Sequence, residues 1–223
     1  MYNIYDQSED AGQAAGEQKQ QVKRELMEFL KLVFYFLLVF TVVRWYGVES
    51  YEIDGPSMEP TLQHGDRILV FKLPHVLSQF SPFHGLQALK PNDIVVFQSP
   101  DTPDKRYVKR VIAKGAHAPA LNTVDAKQRE DGQPDADGVR VEYSRGDLFI
   151  NRHRVEEPYV PEYANQRRES YGEVVLGSGQ YYVLGDNRDN SKDSRSFGPV
   201  DDRRIVGKAV LRFWPLSKFS LVR

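Results

Sequence analysis

Three groups of residues in this chain have the types and spacing that hydrolytic chemistry needs. The first is Ser57 in YEIDGPSMEPTL, Tyr51 to Leu62, where Gly55 permits a sharp corner, Pro56 fixes the preceding φ and Pro60 keeps the chain from winding on as a helix. A serine held on such a turn becomes a nucleophile once a neighbour takes its proton. The competing reading is a turn serine that bonds its own backbone.

The second group is the base. Of His64, His75, His84, His117 and His153, only His64 lies close to Ser57 in sequence, in QHGD beside Asp66, which reads as a solvated turn. Lysine is the stronger candidate. In YVKRVI, strand alternation puts Tyr107, Lys109 and Val111 on one face and Val108, Arg110 and Ile112 on the other. A lysine desolvated by apolar neighbours loses affinity for its proton and can act as a general base. Alternation leaves open whether Lys109 or Arg110 faces inward; an inward arginine needs a carboxylate partner, and a structural ion pair is then the alternative to catalysis.

The third group is GDNRDNSKDSRSFGPV, Gly185 to Val200. Its acidic spacing suggests a calcium loop, but Arg188 and Lys192 intrude and neither the glycine nor the terminal glutamate falls in place, so no metal is expected. Such a loop must bond to itself. Asp193 and Arg195 are natural ion-pair partners, and Ser191 is a candidate to orient a lysine amine.

The elements around these residues read as short strands: DRILVFKL, DIVVFQS, RYVKRVIA, GVRVEYS, DLFINRHRV, GQYYVLGD and RIVGKAVLRFW are rich in Val, Ile, Tyr and Phe. Gly65-Asp66, Asn92-Asp93, Gly146-Asp147 and Gly185-Asp186 punctuate them as turns with positive φ or Asx geometry. The triplet Arg145-Gly146-Asp147 reads as one of these turns, not as an adhesion signal. Two stretches break the rhythm: His75 to Asn92, a loop or short helix, and Lys114 to Gly138, a polar insertion rich in Pro and Gly.

Before the strands, Phe29 to Val48 carries an apolar core from Leu32 to Val43, flanked by Lys31 and Arg44 with Trp45 and Tyr46 at one end. Snorkelling basic residues and interfacial aromatics allow that stretch to span a bilayer. Lys19, Lys23, Arg24 and Lys31 precede the core, whereas after Arg44 the next Lys or Arg is Arg67, which places the N-terminus in the cytoplasm. Residues 1–22, rich in Gln, Gly and Ala, read as a disordered tail. The chain has 223 residues, 40% of them hydrophobic, enough for one domain and an anchor. With 30 basic against 31 acidic side chains and no basic cluster, nucleic acid is not expected as a partner, and the absence of cysteine excludes thiol chemistry.

GPSMEPTL, RYVKRVI and GDNRDNSKDSRSFGPV, in that order after an N-terminal anchor, resemble bacterial type I signal peptidase, the membrane-bound Ser/Lys protease family. The resemblance covers about residues 26–215, and LFINRHRVEEPYV also fits the family's strand pattern. It implies Ser57 as nucleophile, Lys109 as general base, Ser191 as the hydroxyl that positions Lys109, and Asp186, Asp193 and Arg195 as a supporting network. It also implies substrate strands against Asp54, Gly55, Pro56 and Met58 and against Arg106, Tyr107 and Val108. Many members carry a serine where this chain has Gly55, so the oxyanion hole would rest on the Ser57 backbone amide and the region of Gly55. The chain also departs after the lysine, reading KRVIAKGAHAP where members continue with a Gly-x-Pro-Gly-Asp turn.

The expected fold is mainly β: a disordered cytoplasmic tail over 1–25, a transmembrane helix over 26–48, an antiparallel catalytic core from 49–113 and 173–223, and an inserted β-hairpin subdomain over 114–172. The expected protein is a monomer in the cytoplasmic membrane, with its catalytic domain on the outer face, acting on signal-peptide-bearing preproteins without a cofactor. The alternatives are a specialised relative with a narrow substrate and a membrane-tethered β binding module without catalysis.

Overall fold

The computed structural model describes residues 4–42, 47–72, 89–115 and 138–222, with side chains in the N-terminal helix described from Gln20 to Thr41. Helix α1 runs from Ile4 to Val42. Residues 4–25, expected as a disordered tail, belong to it, because Gln, Ala, Glu and Lys are all good helix formers once a longer helix continues from them. Among the described residues no helix is long and apolar enough to cross a membrane. Lys23, Arg24, Glu25, Glu28 and Lys31 break the apolar character upstream of Leu32. The transmembrane helix expected over 26–48 is therefore not met by α1 as described, and residues 43–46 lie outside the described set.

Residues from Gly47 onward form a separate compact unit. Its strands are β1 (Val48–Glu52), β2 (Arg67–Phe71), β3 (Ile94–Gln98), β4 (Arg106–Lys114), β5 (Val139–Ser144), β6 (Asp147–Ile150), β7 (His153–Val155), β8 (Tyr171–Leu176), β9 (Gln180–Leu184), β10 (Val200–Asp201), β11 (Ile205–Trp214) and β12 (Ser220–Leu221). One antiparallel sheet has the order β1-β2-β11-β3-β4-β9-β10, with β12 pairing β11; a second has the order β7-β6-β5-β8. The seven expected strand runs all appear. DLFINRHRV is two strands, however, because Asn151 and Arg152 adopt φ of 48° and 68° and turn the chain between them. β1, β8, β10 and β12 were not expected: β1 and β8 are interrupted by Glu and Gly, and the other two are only two residues long.

The centre of the large sheet is covered on both faces. Ile94 and Val96 of β3 pack with Ile53, Met58, Leu62, Ile68 and Val70, while Val95 and Phe97 pack with Val111, Tyr181 and Val183 on the other side. This is why β3 reads as an unbroken apolar run, with four consecutive residues buried. A third cluster joins the sheets: Ile112, Tyr182 and Leu184 from the large one meet Val141, Tyr143, Leu148 and Leu176 from the small one.

Gly65, Asn92 and Gly146 have the expected positive φ, at 82°, 76° and 83°. Arg145 and Gly146 form the turn between β5 and β6, as expected for that triplet. Most of the stretch 75–92 and of the insertion 114–138 lies outside the described residues.

Candidate active site

The turn that bears Ser57 is a closed loop on the β1–β2 hairpin. At its neck Ile53 N–H donates to the Asp66 carbonyl at 2.8 Å and Gly65 N–H donates to the Ile53 carbonyl at 2.9 Å. Ile53, Met58 and Leu62 are buried in the first core cluster, so every few residues an apolar side chain anchors the loop. Gly55, at φ 94°, makes the corner, and its N–H donates to Nδ1 of the exposed His64 at 3.3 Å. The histidine nearest in sequence thus props the turn.

The base comes from β4, whose Lys109 sits opposite Val95 of β3. Lys109 is 4% exposed. Its Nζ lies 2.7 Å from Ser57 Oγ and donates to the Val108 carbonyl at 3.0 Å. The Tyr107 ring is 5.4 Å away on the same face, as alternation predicts. Burial pushes the Lys109 amine down to about 8; the Asp193 and Asp186 carboxylates pull it back up, and the Arg195 guanidinium adds to the depression. A neutral amine with one N–H on the Val108 carbonyl keeps its lone pair free for the Ser57 hydroxyl proton.

Arg110 points to the opposite face and is also buried, so the choice between inward lysine and inward arginine resolves as both. Its partner is Asp186, bound through two parallel bonds: Nε to Oδ1 at 2.8 Å and Nη2 to Oδ2 at 2.6 Å. Thr61 Oγ1 donates to the same carboxylate at 2.5 Å, and Arg110 Nη1 donates to the Asn92 carbonyl at 2.9 Å. The nucleophile loop, β4 and the loop after β9 therefore meet at one carboxylate.

The 185–200 loop bonds to itself without a metal-like cluster: among the described residues no group of His, Asp and Glu could hold an ion. Arg195 grips Asp193 through Nε at 2.8 Å and Nη2 at 2.9 Å, and Asp193 Oδ2 accepts the Gly185 N–H at 3.0 Å. Asn187 N–H donates to the Ser57 carbonyl at 3.1 Å, a link with no sequence signal. Gly185 does not have the expected positive φ. It is glycine because of close approach: a Cβ there would lie 2.4 Å from the Ser57 carbonyl oxygen and 2.2 Å from Ser191 Oγ.

Ser191 differs from the expectation. Its hydroxyl is buried with no hydrogen-bond partner among the described residues, and Lys109 Nζ is held by Ser57 and Val108 instead. The loop places the Ser191 side chain against Gly185.

In front of the dyad is a cleft of about 260 Å³ between the nucleophile loop, Glu52 to Met58, and β4, Arg106 to Lys109. All seven residues expected to meet substrate line it: Asp54, Gly55, Pro56, Met58, Arg106, Tyr107 and Val108. Lys192, not expected, stands at the rim in an ion pair with Asp101 at 2.6 Å. The Ser57 amide donates to no backbone carbonyl among the described residues, and Ser57 lines the cleft. The space beside Gly55 is also open, with nothing within 4 Å of where a Cβ would stand.

Known proteins are similar to this chain over most of its length. Signal peptidase IB of Staphylococcus aureus is 32% identical over 214 residues, 89% of this chain and 95% of that protein. Signal peptidase I of Bacillus licheniformis is 29% identical over 213 residues, 91% of this chain and 96% of that one. A crystal structure of a signal peptidase I from Enterococcus faecalis V583 aligns with 97% of its own chain and 55% of this one, at 28% identity and a TM-score of 0.38. Residues 26–117 and 136–214 match the family described as signal peptidase, peptidase S26, and the chain belongs to that family.

Proposed function

We propose that the protein removes signal peptides from exported preproteins with Ser57 as nucleophile and Lys109 as general base. The observation that carries this is the 2.7 Å approach of a buried lysine amine to the one serine on a rigid, cleft-facing turn. The substrate adds as an extended strand between Asp54–Ser57 and Arg106–Lys109, with small side chains entering the cleft. Ser57 Oγ attacks the scissile carbonyl while neutral Lys109 takes its proton, then returns it to the leaving amine; water hydrolyses the acyl-enzyme by the same route. The oxyanion is met by the Ser57 amide, with the open flank at Gly55 available to a second donor. No cofactor enters these steps. We infer that the buried Ser191 hydroxyl, which makes no hydrogen bond among the described residues, is available to position the amine during the reaction, with Asp186, Asp193 and Arg195 as the supporting network. The inserted subdomain expected over 114–172 corresponds in this reading to the second sheet, whose last strand runs on to Leu176, so 173–176 belong to it and not to the catalytic core.

The deciding assay uses purified, detergent-solubilised protein and a peptide with an Ala-x-Ala cleavage site. Wild-type protein cleaves it and is labelled at Ser57 by a serine-directed acylating probe. Ser57→Ala does neither, and Ser191→Ala lowers turnover with KM nearly unchanged. Equal cleavage by Ser57→Ala rejects the assignment.

We further propose a membrane anchor. Leu32 to Phe40 is a helical stretch in which all the large apolar side chains but Val33 are exposed, Leu32, Phe34, Phe36 and Phe40 each by more than half, a surface suited to lipid. Lys31 extends its reach by snorkelling, and the basic residues before it keep the N-terminus in the cytoplasm. Protease added to intact spheroplasts then reaches the domain after Ser50 and spares the N-terminal segment; a protected β domain rejects this topology.

A further inference from the structure

The small sheet contributes no residue to the cleft lining, yet the connector between β7 and β8 reaches the 185–193 loop at two points and β4 at a third. The Glu157 carboxylate receives both terminal nitrogens of Arg188, Nη2 to Oε1 at 2.5 Å and Nη1 to Oε2 at 2.7 Å, with the arginine side chain fully enclosed. Tyr159 O–H donates to Glu157 Oε1 at 2.7 Å and sets its ring 4.1 Å from the Arg110 guanidinium. Asp189, next to Arg188, accepts the backbone N–H groups of Gln166 and Arg167 at 2.7 and 3.2 Å.

Arg188 passes this hold inward. Its Nε donates to the Gly185 carbonyl at 3.0 Å, and its own carbonyl accepts from Arg195 Nη2 at 2.7 Å. Arg195 grips Asp193, Asp193 holds the Gly185 amide, and Gly185 packs against the Ser57 carbonyl. A carboxylate needed only to neutralise a buried guanidinium would not require a partner wired on both sides to the loop that abuts the nucleophile.

We propose that Glu157 is a positioning residue for the reaction: through Arg188 it sets the 185–193 loop against the Ser57 turn and the Lys109 amine. The proposal rests on the Ser57–Lys109 reading, which Ser57→Ala tests by itself. The groups facing Arg188 are Glu157, Tyr159 and the Tyr143 ring at 5.6 Å. Those acting on Lys109 are Asp193, Asp186, Arg195 and the Tyr107 ring.

The test is Glu157→Gln in the full-length, detergent-solubilised protein, which keeps side-chain volume and one acceptor. The expected result is a kcat lower by roughly ten- to a hundredfold with little change in KM, the mark of misplaced reacting groups. The acid limb of the pH profile also moves to higher pH. Arg195, loosened from the Arg188 carbonyl, offsets Asp193 less, and Lys109 then holds its proton more tightly. Tyr159→Phe, which deletes only the bond to Glu157, gives a smaller loss in the same direction, and the double variant loses less than the sum of the two. A folded Glu157→Gln protein with wild-type kcat and an unmoved profile, whatever its Tm, overturns the proposal. If Glu157→Gln does not accumulate, wild-type kcat and profile in Tyr159→Phe overturn it instead.

Discussion

Lys109→Arg is expected to fold and to show no measurable cleavage at any pH. The base must be neutral to take the Ser57 proton, and burial is what makes this possible by bringing the amine down to about 8. Guanidinium keeps the charge and much of the reach of lysine but does not deprotonate in proteins. The wild-type profile carries the matching sign: protonation removes the active form, so activity is full above about 8 and falls as pH drops through that value. Lys109→Met, which removes the charge as well, is expected to be equally inactive, measured as peptide cleavage after the thermal transition has been checked. Substantial residual cleavage by the arginine variant would end any mechanism that needs a free amine here.

Asp186→Ala is expected to cost stability and activity together. Arg110 and Asp186 are almost wholly enclosed, at 2% and 0% exposure, and the carboxylate accepts both guanidinium bonds and the Thr61 hydroxyl. Removing one partner of such a pair leaves a buried charge uncompensated, which costs about 3–5 kcal/mol. For a domain of this size that lowers Tm by roughly 6–20 °C. The same change removes the acceptor of the Thr61 hydroxyl and leaves Thr61 with the longer Arg110 Nη2 bond at 3.4 Å, so the nucleophile loop is held less firmly against β4 and cleavage falls with it. Calorimetry of the purified variant checks the first part and the peptide assay the second; a transition within 2 °C of wild type would show that the charge is compensated elsewhere.

The parts of the site that could be read from sequence are those whose residue type is itself unusual in its setting. A serine between Gly55-Pro56 and Pro60 announces a turn, and a lysine that shares its strand face with Tyr107 and Val111 is a candidate for a desolvated amine. The seven residues expected to meet substrate came from the family resemblance, and they line the cleft. What could not be read was carried by backbone groups and by partners distant in sequence. The Val108 carbonyl that holds Nζ, the Asn187 amide on the Ser57 carbonyl and the Glu157–Arg188 pair have no local pattern, because any residue can supply a carbonyl or amide and a glutamate beside a proline reads as surface. Gly185 was read as a turn glycine because glycines forced by positive φ and by close packing look the same in one sequence. The β core was legible through Val- and Ile-rich runs; β1 and β8 were hidden by glutamates and a glycine on exposed positions, and the helical residues 4–25 by a composition that suits a tail as well as a helix.

The bond from the Asn187 amide to the Ser57 carbonyl makes the nucleophile's own backbone part of the loop that supports its base. With Gly185 packed against the same carbonyl, that amide cannot meet solvent until the loop lifts off the serine. Its hydrogen-exchange rate is therefore a clock for disassembly of the dyad, readable in the resting enzyme with no substrate present. The opening free energy it reports sets the fraction of molecules that are assembled and ready at any instant, so a variant with intact chemistry and a loosened loop would betray itself by fast exchange at this one amide before it showed any change in its melting curve.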